Sequence, residues 1–374
     1  MKEGYRLLGD FIQPLDERNR DLKFDYLLGV SISKQFIPSI ANIVGTDLSS
    51  YKIVRTGQFA YGPVTSRNGE KISIALLRDS DCIISSSYTV FEVTDKDQLD
   101  PEYLMLWFSR PEFDRYARYM SHGSVREIFD WDELCKVELP VPSIEKQRSI
   151  VKAYNTITDR IELKRKINDN LEATGLAIFK EKFSSPNDGF DETPLYDLAE
   201  YINGTSFSED EYSSDGLPII KIAELKDGIT SATQYFVGNK DTKYLIHDSD
   251  VLFSWSGNPD TSIDAFIWSH GDGILNQHTF RMVPRYGVAF TYFMLKFCKP
   301  EFVKAAMGKQ TTGLGHVTVK DLKRLTLPFN EETAFLFNQA AMPLYEQIFK
   351  NLKEINALIE LKNQTVQMLS IINH

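Results

Sequence analysis

Cysteine is scarce in this 374-residue chain: there are 3, and no two form a CxxC pair. Cys82, Cys135 and Cys298 therefore predict neither a disulfide framework nor a cysteine-rich zinc site, and a reducing cytoplasm fits them best. Long apolar runs are missing as well. No window approaches the ~18 apolar residues of a membrane span. The opening stretch, residues 1–20, lacks the continuous apolar segment of a secretory signal. The third absence is a basic excess, since 42 Lys and Arg against 52 Asp and Glu leave a net charge of −10. That balance excludes a bulk electrostatic binder of nucleic acid. Any contact with DNA would be local, or would lean on positive charge supplied by a partner.

Catalytic motifs are absent too. Gly308-Lys309 is followed by Gln310, and Val303 stands where a Walker A loop requires its first glycine. Gly313-Leu-Gly315 lacks the third glycine of a dinucleotide fingerprint. Asn258-Pro259-Asp260 departs from the Asn-Pro-Pro-Tyr of amino-methyltransferases, and no GxSxG, HExxH or DxDxDG occurs. His122, His247, His270, His278, His316 and His374 never pair at helical spacing, so no metal site is predicted. The acidic clusters Asp130–Glu133 and Glu209–Glu211 read as solvated turns. No reaction is visible in the chain.

What is present is a half-length repeat. Glu102-Tyr-Leu-Met-Leu-Trp-Phe-Ser-Arg-Pro-Glu-Phe113 matches Thr291-Tyr-Phe-Met-Leu-Lys-Phe-Cys-Lys-Pro-Glu-Phe302 at seven of twelve positions, with an offset of 189. Leu134–Pro140 lines up with Leu322–Pro328, Asp79–Ser85 echoes Asp248–Ser254, and Gly9–Ile12 resembles Ala199–Ile202. The blocks keep one order in both halves, which composition bias does not produce. Two copies of one fold are predicted.

Each copy ends in a helical stretch. Ser143 follows Leu139-Pro-Val-Pro142 as an N-cap, and Ile150, Tyr154, Ile157 and Ile161 then mark one helix face. The pattern shifts phase and resumes at Leu163, Ile167, Leu171 and Ile178. In the second copy Phe337, Ala341, Leu344, Ile348, Asn351, Ile355, Leu358, Lys362, Thr365, Leu369 and Ile372 alternate by four and three. Pro343 is expected near a kink or an early boundary. The two stripes are predicted to pack on each other; the alternative is that each covers its own domain's core. Residues 184–189 form a turn-rich linker.

The layout is therefore a first domain at 1–142, a helix at 143–185, a second domain at 186–329 and a helix at 330–374. Each domain mixes β-rich runs such as Lys71–Leu77 with one amphipathic helix, at about 101–120 and about 290–307, so the class is α+β. Only the first helix is net basic, with 9 basic and 6 acidic side chains over 143–185.

The loops are rich in small hydrogen-bonding residues and aromatics: Gln58–Gly69, Ser85–Tyr88 and Ser121–Arg126 in the first copy. The second has Asn203–Ser208, Ser254–Asn258, Asn276–Thr279 and Lys309–His316. Asn, Gln, Ser, Thr and Arg match the donor and acceptor pattern of base edges, although ordinary turns share this composition.

Leu139-Pro-Val-Pro-Ser-Ile-Glu-Lys-Gln-Arg-Ser-Ile-Val151 resembles the LPxPxxxEQxxIV opening of the helix in type I restriction–modification specificity subunits, with Lys146 inserted between Glu145 and Gln147. Ile202–Ser208, Asp215–Ile222 and Asn276–Thr279 resemble that family's target-recognition domains, whereas Leu327-Pro-Phe-Asn-Glu-Glu332 is a degenerate second opening. The resemblance implies two similar α/β target-recognition domains, related by a pseudo-two-fold repeat and held apart by two long antiparallel helices. It implies a non-catalytic subunit that reads a bipartite, asymmetric site on double-stranded DNA. Two modification (methyltransferase) subunits and the restriction (translocase/nuclease) subunits would be its partners. They would carry the S-adenosylmethionine and the ATP and Mg, with no cofactor on this chain.

Candidate DNA contacts in the first copy are Lys34, Tyr61, Thr65, Arg67, Asn68, Ser87, Tyr88, Ser124 and Arg126. In the second they are Thr205, Ser206, Lys221, Trp255, Ser256, Asn258, Gln277, His278, Thr312 and His316. Gln147, Ile150, Tyr154, Ile161, Leu171, Leu344, Ile348, Ile355 and Leu358 are the candidate partner contacts on the helices. Two other classes stay open: a bivalent protein-interaction scaffold, and a cryptic nuclease or methyltransferase.

Overall fold

The computed structural model describes residues 4–39, 45–66, 68–123, 126–184, 189–309 and 313–369. They form two compact units. Unit 1 runs to Asp159 and takes up the chain again from Glu360, and unit 2 is Arg160–Ile359.

Unit 1 is built on a four-stranded antiparallel sheet of β1 (Ile12–Leu15), β2 (Phe59–Tyr61), β3 (Ile74–Leu76) and β4 (Thr89–Val93), in the order β1-β4-β2-β3. Alternation along the strands sorts the side chains by face. Phe59, Ile74, Leu76 and Phe91 enter one core with helix α1 (Pro101–Phe108), while Ala60, Ala75 and Val90 enter a second with Val54, Cys82 and Ile84. The Asp100 carboxylate caps α1 by accepting from the N–H groups of Glu102 and Tyr103. The single helix expected over about 101–120 is two, because α2 (Pro111–Tyr119) restarts with Pro111 in its first turn. Proline has no N–H and its ring would strike the carbonyl of Trp107, so the first helix must end before it. A long helix, α3, follows at Ile144–Phe183.

Unit 2 repeats the plan. β5 (Ala199–Asn203), β6 (Val251–Ser254), β7 (Asp264–Ile267) and β8 (Thr279–Pro284) pair antiparallel in the order β5-β8-β6-β7. Helices α4 (Val288–Phe297) and α5 (Lys299–Met307) stand where α1 and α2 stand in unit 1, and α6 (Glu331–Met368) is the second long helix. Even the cross-strand rings recur. Phe59 stacks on Phe91 at 4.9 Å and 8°, and Phe253 on Phe280 at 6.4 Å and 15°. Phe91 and Phe280 stand 189 apart, the offset of the helical repeat.

That register corrects two of the expected matches. Ile12 pairs with Val93 and Tyr201 with Met282, so Ile12 corresponds to Tyr201 rather than to Ile202, and a one-residue slip changes the face. The Asp79–Ser85 echo of Asp248–Ser254 is not structural. Cys82–Ile84 pairs with Lys52–Val54 outside the main sheet, whereas Val251–Ser254 is the inner strand β6, whose counterpart is β2.

In each unit α3 and α6 lie side by side. In unit 1, Lys362 sits over the Tyr154 ring at 5.3 Å, and Leu369 joins a core flanked by Ile150, Val151 and Tyr154. In unit 2, Lys164 reaches Glu354 at 2.8 Å, Asn168 accepts from Asn351 at 2.7 Å, and the Phe179 and Phe337 rings meet at 5.1 Å. Partner numbers fall along one helix as they rise along the other, so the pair is antiparallel. Pro343 neither ends nor divides α6. It forfeits one hydrogen bond, to the carbonyl of Gln339, while buried Ala341, Tyr345 and Ile348 anchor the helix on both sides.

Candidate nucleic-acid interface

In unit 2 the strands deliver several of the expected residues to one edge. β6 runs out at Trp255, whose carbonyl accepts from Val317 N–H at 2.8 Å. The next residues, Ser256 and Gly257, pair with His316 and Gly315. The Trp255 indole donates to Asn203 Oδ1 at 3.1 Å, and its ring lies 5.7 Å from that of His278. Gln277 and His278 touch at 3.5 Å, and Thr205 N–H donates to Leu275 O at 2.9 Å. The approach of these segments depends on Gly204, where a Cβ would stand 2.2 Å from the Asn276 carbonyl oxygen. Asn203, Ser206, Gln277, His278 and His316 are exposed, and Trp255 and Ser256 are half-buried. The edge thus carries amide, hydroxyl, imidazole and indole groups, with the donor and acceptor mix that reads base edges.

Cations border this edge without lying free on it. Lys240 donates to Ser206 O at 3.2 Å, ion-pairs with Glu211 at 2.6 Å and lies 4.8 Å over the Phe207 ring. Hydrogen bonds from Lys240 and Ser208 pull the Glu211 carboxyl down to about 2. Lys221, expected to contact DNA, instead donates to Gln234 and lies over the Tyr212 ring at 5.2 Å, which engages its ammonium within unit 2. Asn258 is likewise committed, because its Oδ1 caps the short helix Pro259–Ser262 through the N–H groups of Asp260 and Thr261.

Unit 1 presents the counterpart with different chemistry. Thr65 N–H donates to Glu127 O at 3.0 Å, and His122 bridges Ile128. Arg118 joins these two loops by donating to Thr65 Oγ1 at 3.4 Å and ion-pairing with Glu127. Arg126 is exposed and makes no ion pair among the described residues; Ser87 is exposed and Asn68 half-buried.

Four of the expected contacts are corrected here. Tyr61 is fully buried in the core, where burial pushes its phenol pKa upward, because its strand position faces Phe91 and Phe129. Lys34 is packed against Asp114 at 2.7 Å with both side chains buried; burial lowers its pKa and the Asp114 charge opposes that. Thr65 is buried beneath Arg118 and Glu127. Tyr88 is turned inward far enough for its hydroxyl to accept from Val30 N–H at 3.4 Å. Arg67, Ser124 and Thr312 lie outside the described residues. Sequence reasoning passed over Arg118 and Asn203. Asn203 sits inside a loop already singled out, but Arg118 is hidden in a helix whose amphipathic pattern says nothing of loops.

The helix residues expected to meet partners face inward instead. Gln147 is fully buried and donates to the carbonyls of Gln98 and Pro142, both at 2.8 Å, while accepting from Asp100 N–H at 2.9 Å. It clamps α3 to the start of α1. In unit 2 Asn338 does the same for α4, its Oδ1 accepting from the N–H groups of Ala289 and Phe290. Ile150 and Tyr154 pack on the unit 1 core, and Leu171, Leu344 and Ile348 on that of unit 2. Ile161 and Ile355 are buried and Leu358 is half-buried. The apolar stripe that identifies an amphipathic helix is the stripe its own domain covers first. Leu163, expected in the resumed stripe of the first helix, is the exception and is exposed. With it, among the described residues, Phe335 and Leu336 in unit 2 and Leu361 and Met368 in unit 1 are the exposed large apolar side chains of the long helices.

Among the described residues no group of His, Cys, Asp and Glu could hold a metal ion, and no helix is long and apolar enough to cross a membrane.

Comparison with known proteins agrees with this duplicated architecture. The type I restriction modification DNA specificity domain matches twice, at residues 46–173 and 187–369. The chain is 25% identical over 314 residues to the type I restriction enzyme MjaIX specificity subunit of Methanocaldococcus jannaschii, covering 74% of this chain and 70% of that protein. It is 26% identical over 150 residues to the HindI specificity subunit of Haemophilus influenzae, covering 38% and 31% of the two chains. The crystal structure of a type I restriction–modification S subunit from M. genitalium shares the fold with a TM-score of 0.55 at 12% identity, over 98% of this chain and 95% of that one. The chain belongs to the type I restriction–modification specificity subunit family.

Proposed function

We propose that this chain reads a bipartite, asymmetric DNA sequence, one half-site per unit, for a type I restriction–modification enzyme whose chemistry resides on other subunits. One observation carries the reading. The same four-stranded scaffold appears twice with unlike edges: Trp255, Ser256, Gln277, His278 and His316 on one, Asn68, His122 and Arg126 on the other. A shared scaffold with divergent edge residues suits two different half-sites, since base contacts specify sequence while the frame only positions them.

The modification subunits dock on the outward faces of the long helices, where Leu163, Phe335, Leu336, Leu361 and Met368 are exposed. They bring S-adenosylmethionine, and restriction subunits bring ATP and Mg. Because the chain carries a net charge of −10, it binds DNA weakly alone and gains affinity and specificity when the modification subunits add cationic surface.

The test is an exchange of residues 1–142 for the matching unit of another family member, read by methylome sequencing of the host. One half-site changes and the other persists. If both change, or neither, the assignment of one half-site per unit fails. A mobility-shift assay of the chain with its modification subunits separates DNA reading from a protein-interaction scaffold, which would shift no duplex.

A further inference from the structure

We propose that Tyr119 is a base-stacking residue of unit 1, with Arg126 and His122 as its polar neighbours, so that the end of α2 forms part of the DNA-reading edge. This rests on the DNA reading above and adds a residue to it. The side chains of α2 divide by face: Phe113, Asp114 and Ala117 turn inward, and Arg115 and Tyr119 outward, with His122 one turn further on. Tyr119 is 82% exposed, the most exposed large apolar side chain among the described residues.

Its backbone, in contrast, is held. Arg118 is tied to Thr65 and Glu127, and Ser121 Oγ donates to Ala117 O at 2.6 Å. The ring is thus presented from a fixed base without touching the core.

On α2, Arg115 pairs with Glu112 and Arg118 with Glu127. His122 and Arg126 follow in the next loop, exposed, and Arg126 makes no ion pair among the described residues. An exposed ring next to a loop bearing imidazole and guanidinium groups suits base faces and phosphates better than an apolar protein surface. Unit 2 supplies the comparison. There the residue at the 189 offset from Tyr119 is Gly308, and the aromatic group at the edge is half-buried Trp255. By strand register the counterpart of Trp255 in unit 1 is Tyr61, which is buried. Tyr119 and Trp255 therefore stand on different elements of the two units, one at the end of α2 and the other just past β6.

The experiment uses the full chain reconstituted with its modification subunits. A duplex selected by the wild type from a randomised pool is then labelled with 2-aminopurine at each position of the unit 1 half-site in turn. Tyr119→Ala weakens binding about 5- to 150-fold, the range for losing one base–aromatic stack. It also restores fluorescence at one labelled position, while Tyr119→Phe behaves as wild type and thermal unfolding of both variants is unchanged. Affinity for Tyr119→Ala within twofold of wild type, or identical 2-aminopurine signals, overturns the proposal. Equal losses for Tyr119→Phe overturn stacking in favour of a hydroxyl contact, and a lowered unfolding temperature assigns Tyr119 to structure. A wild-type complex that selects no duplex overturns the DNA reading itself, and this proposal with it.

Discussion

Gln147→Ala tests the reassignment of Gln147 from a partner contact to a clamp between α3 and the domain that precedes it. The wild-type amide satisfies three backbone groups at once: the carbonyls of Gln98 and Pro142 and the N–H of Asp100, all at 2.8–2.9 Å. Alanine leaves all three unmet in a site where residue 147 itself is fully buried. At the low end of ~1 kcal/mol for each unsatisfied group, unit 1 loses about 3 kcal/mol. For a unit of this size that lowers the unfolding temperature by about 6–12 °C. Intrinsic fluorescence distinguishes the units, because Trp107 and Trp131 report on unit 1 and Trp255 and Trp268 on unit 2. The unit 1 transition should move and the unit 2 transition stay in place.

Gln147→Glu sharpens the test. The isosteric carboxylate turns a second acceptor toward two carbonyls, so its folded pKa is raised above the usual carboxylate range. Protonation restores one donor. The variant is then least stable at neutral pH and recovers as pH falls through that raised value. Stability of Gln147→Ala within about 0.5 kcal/mol of wild type would refute the clamp. Loss of partner binding with unfolding unchanged would return Gln147 to the partner-facing role.

Three further outcomes follow from other parts of the molecule. A Cβ at Gly175 of α3 would stand 2.2 Å from the fully buried Phe293 ring, so Gly175→Ala should destabilise unit 2 by about 1–3 kcal/mol, read from the Trp255 and Trp268 transition. Burial opposes ionisation of Asp321, but hydrogen bonds from Lys309 and Thr318 outweigh it and hold the carboxyl at about 2. That stabilisation is present above the ordinary carboxylate pKa and is lost as pH falls from about 4 to about 2; it amounts to about 2 kcal/mol. Asp321→Asn should remove this acid limb, as urea unfolding across that range would show. His278→Ala should relax the sequence read by unit 2 at one position, by about 1–3 kcal/mol of discrimination, and leave the unit 1 half-site untouched in the methylome. Relaxation in the unit 1 half-site instead would break the link between edge and half-site.

The duplication, the α+β class and the two long helices were legible in the chain itself, because hydrophobic period and repeated order are local properties that survive any packing. Tertiary structure decided what those patterns face. Tyr61 and Trp255 occupy matching strand positions, yet one is core and the other edge, since burial depends on what lies across the sheet rather than on the residue type. Gln147 stood in a motif that resembles a family signature, but only the fold shows its amide spent on three backbone groups of its own domain. The echo at Asp79–Ser85 failed for the same reason, as a short apolar run fits an outer or an inner strand equally well until register is set. Periodicity identifies a face that must be covered. The folded chain selects its cover, and so leaves Leu336, Leu361 and Tyr119, rather than most of the apolar stripes, turned outward for other molecules.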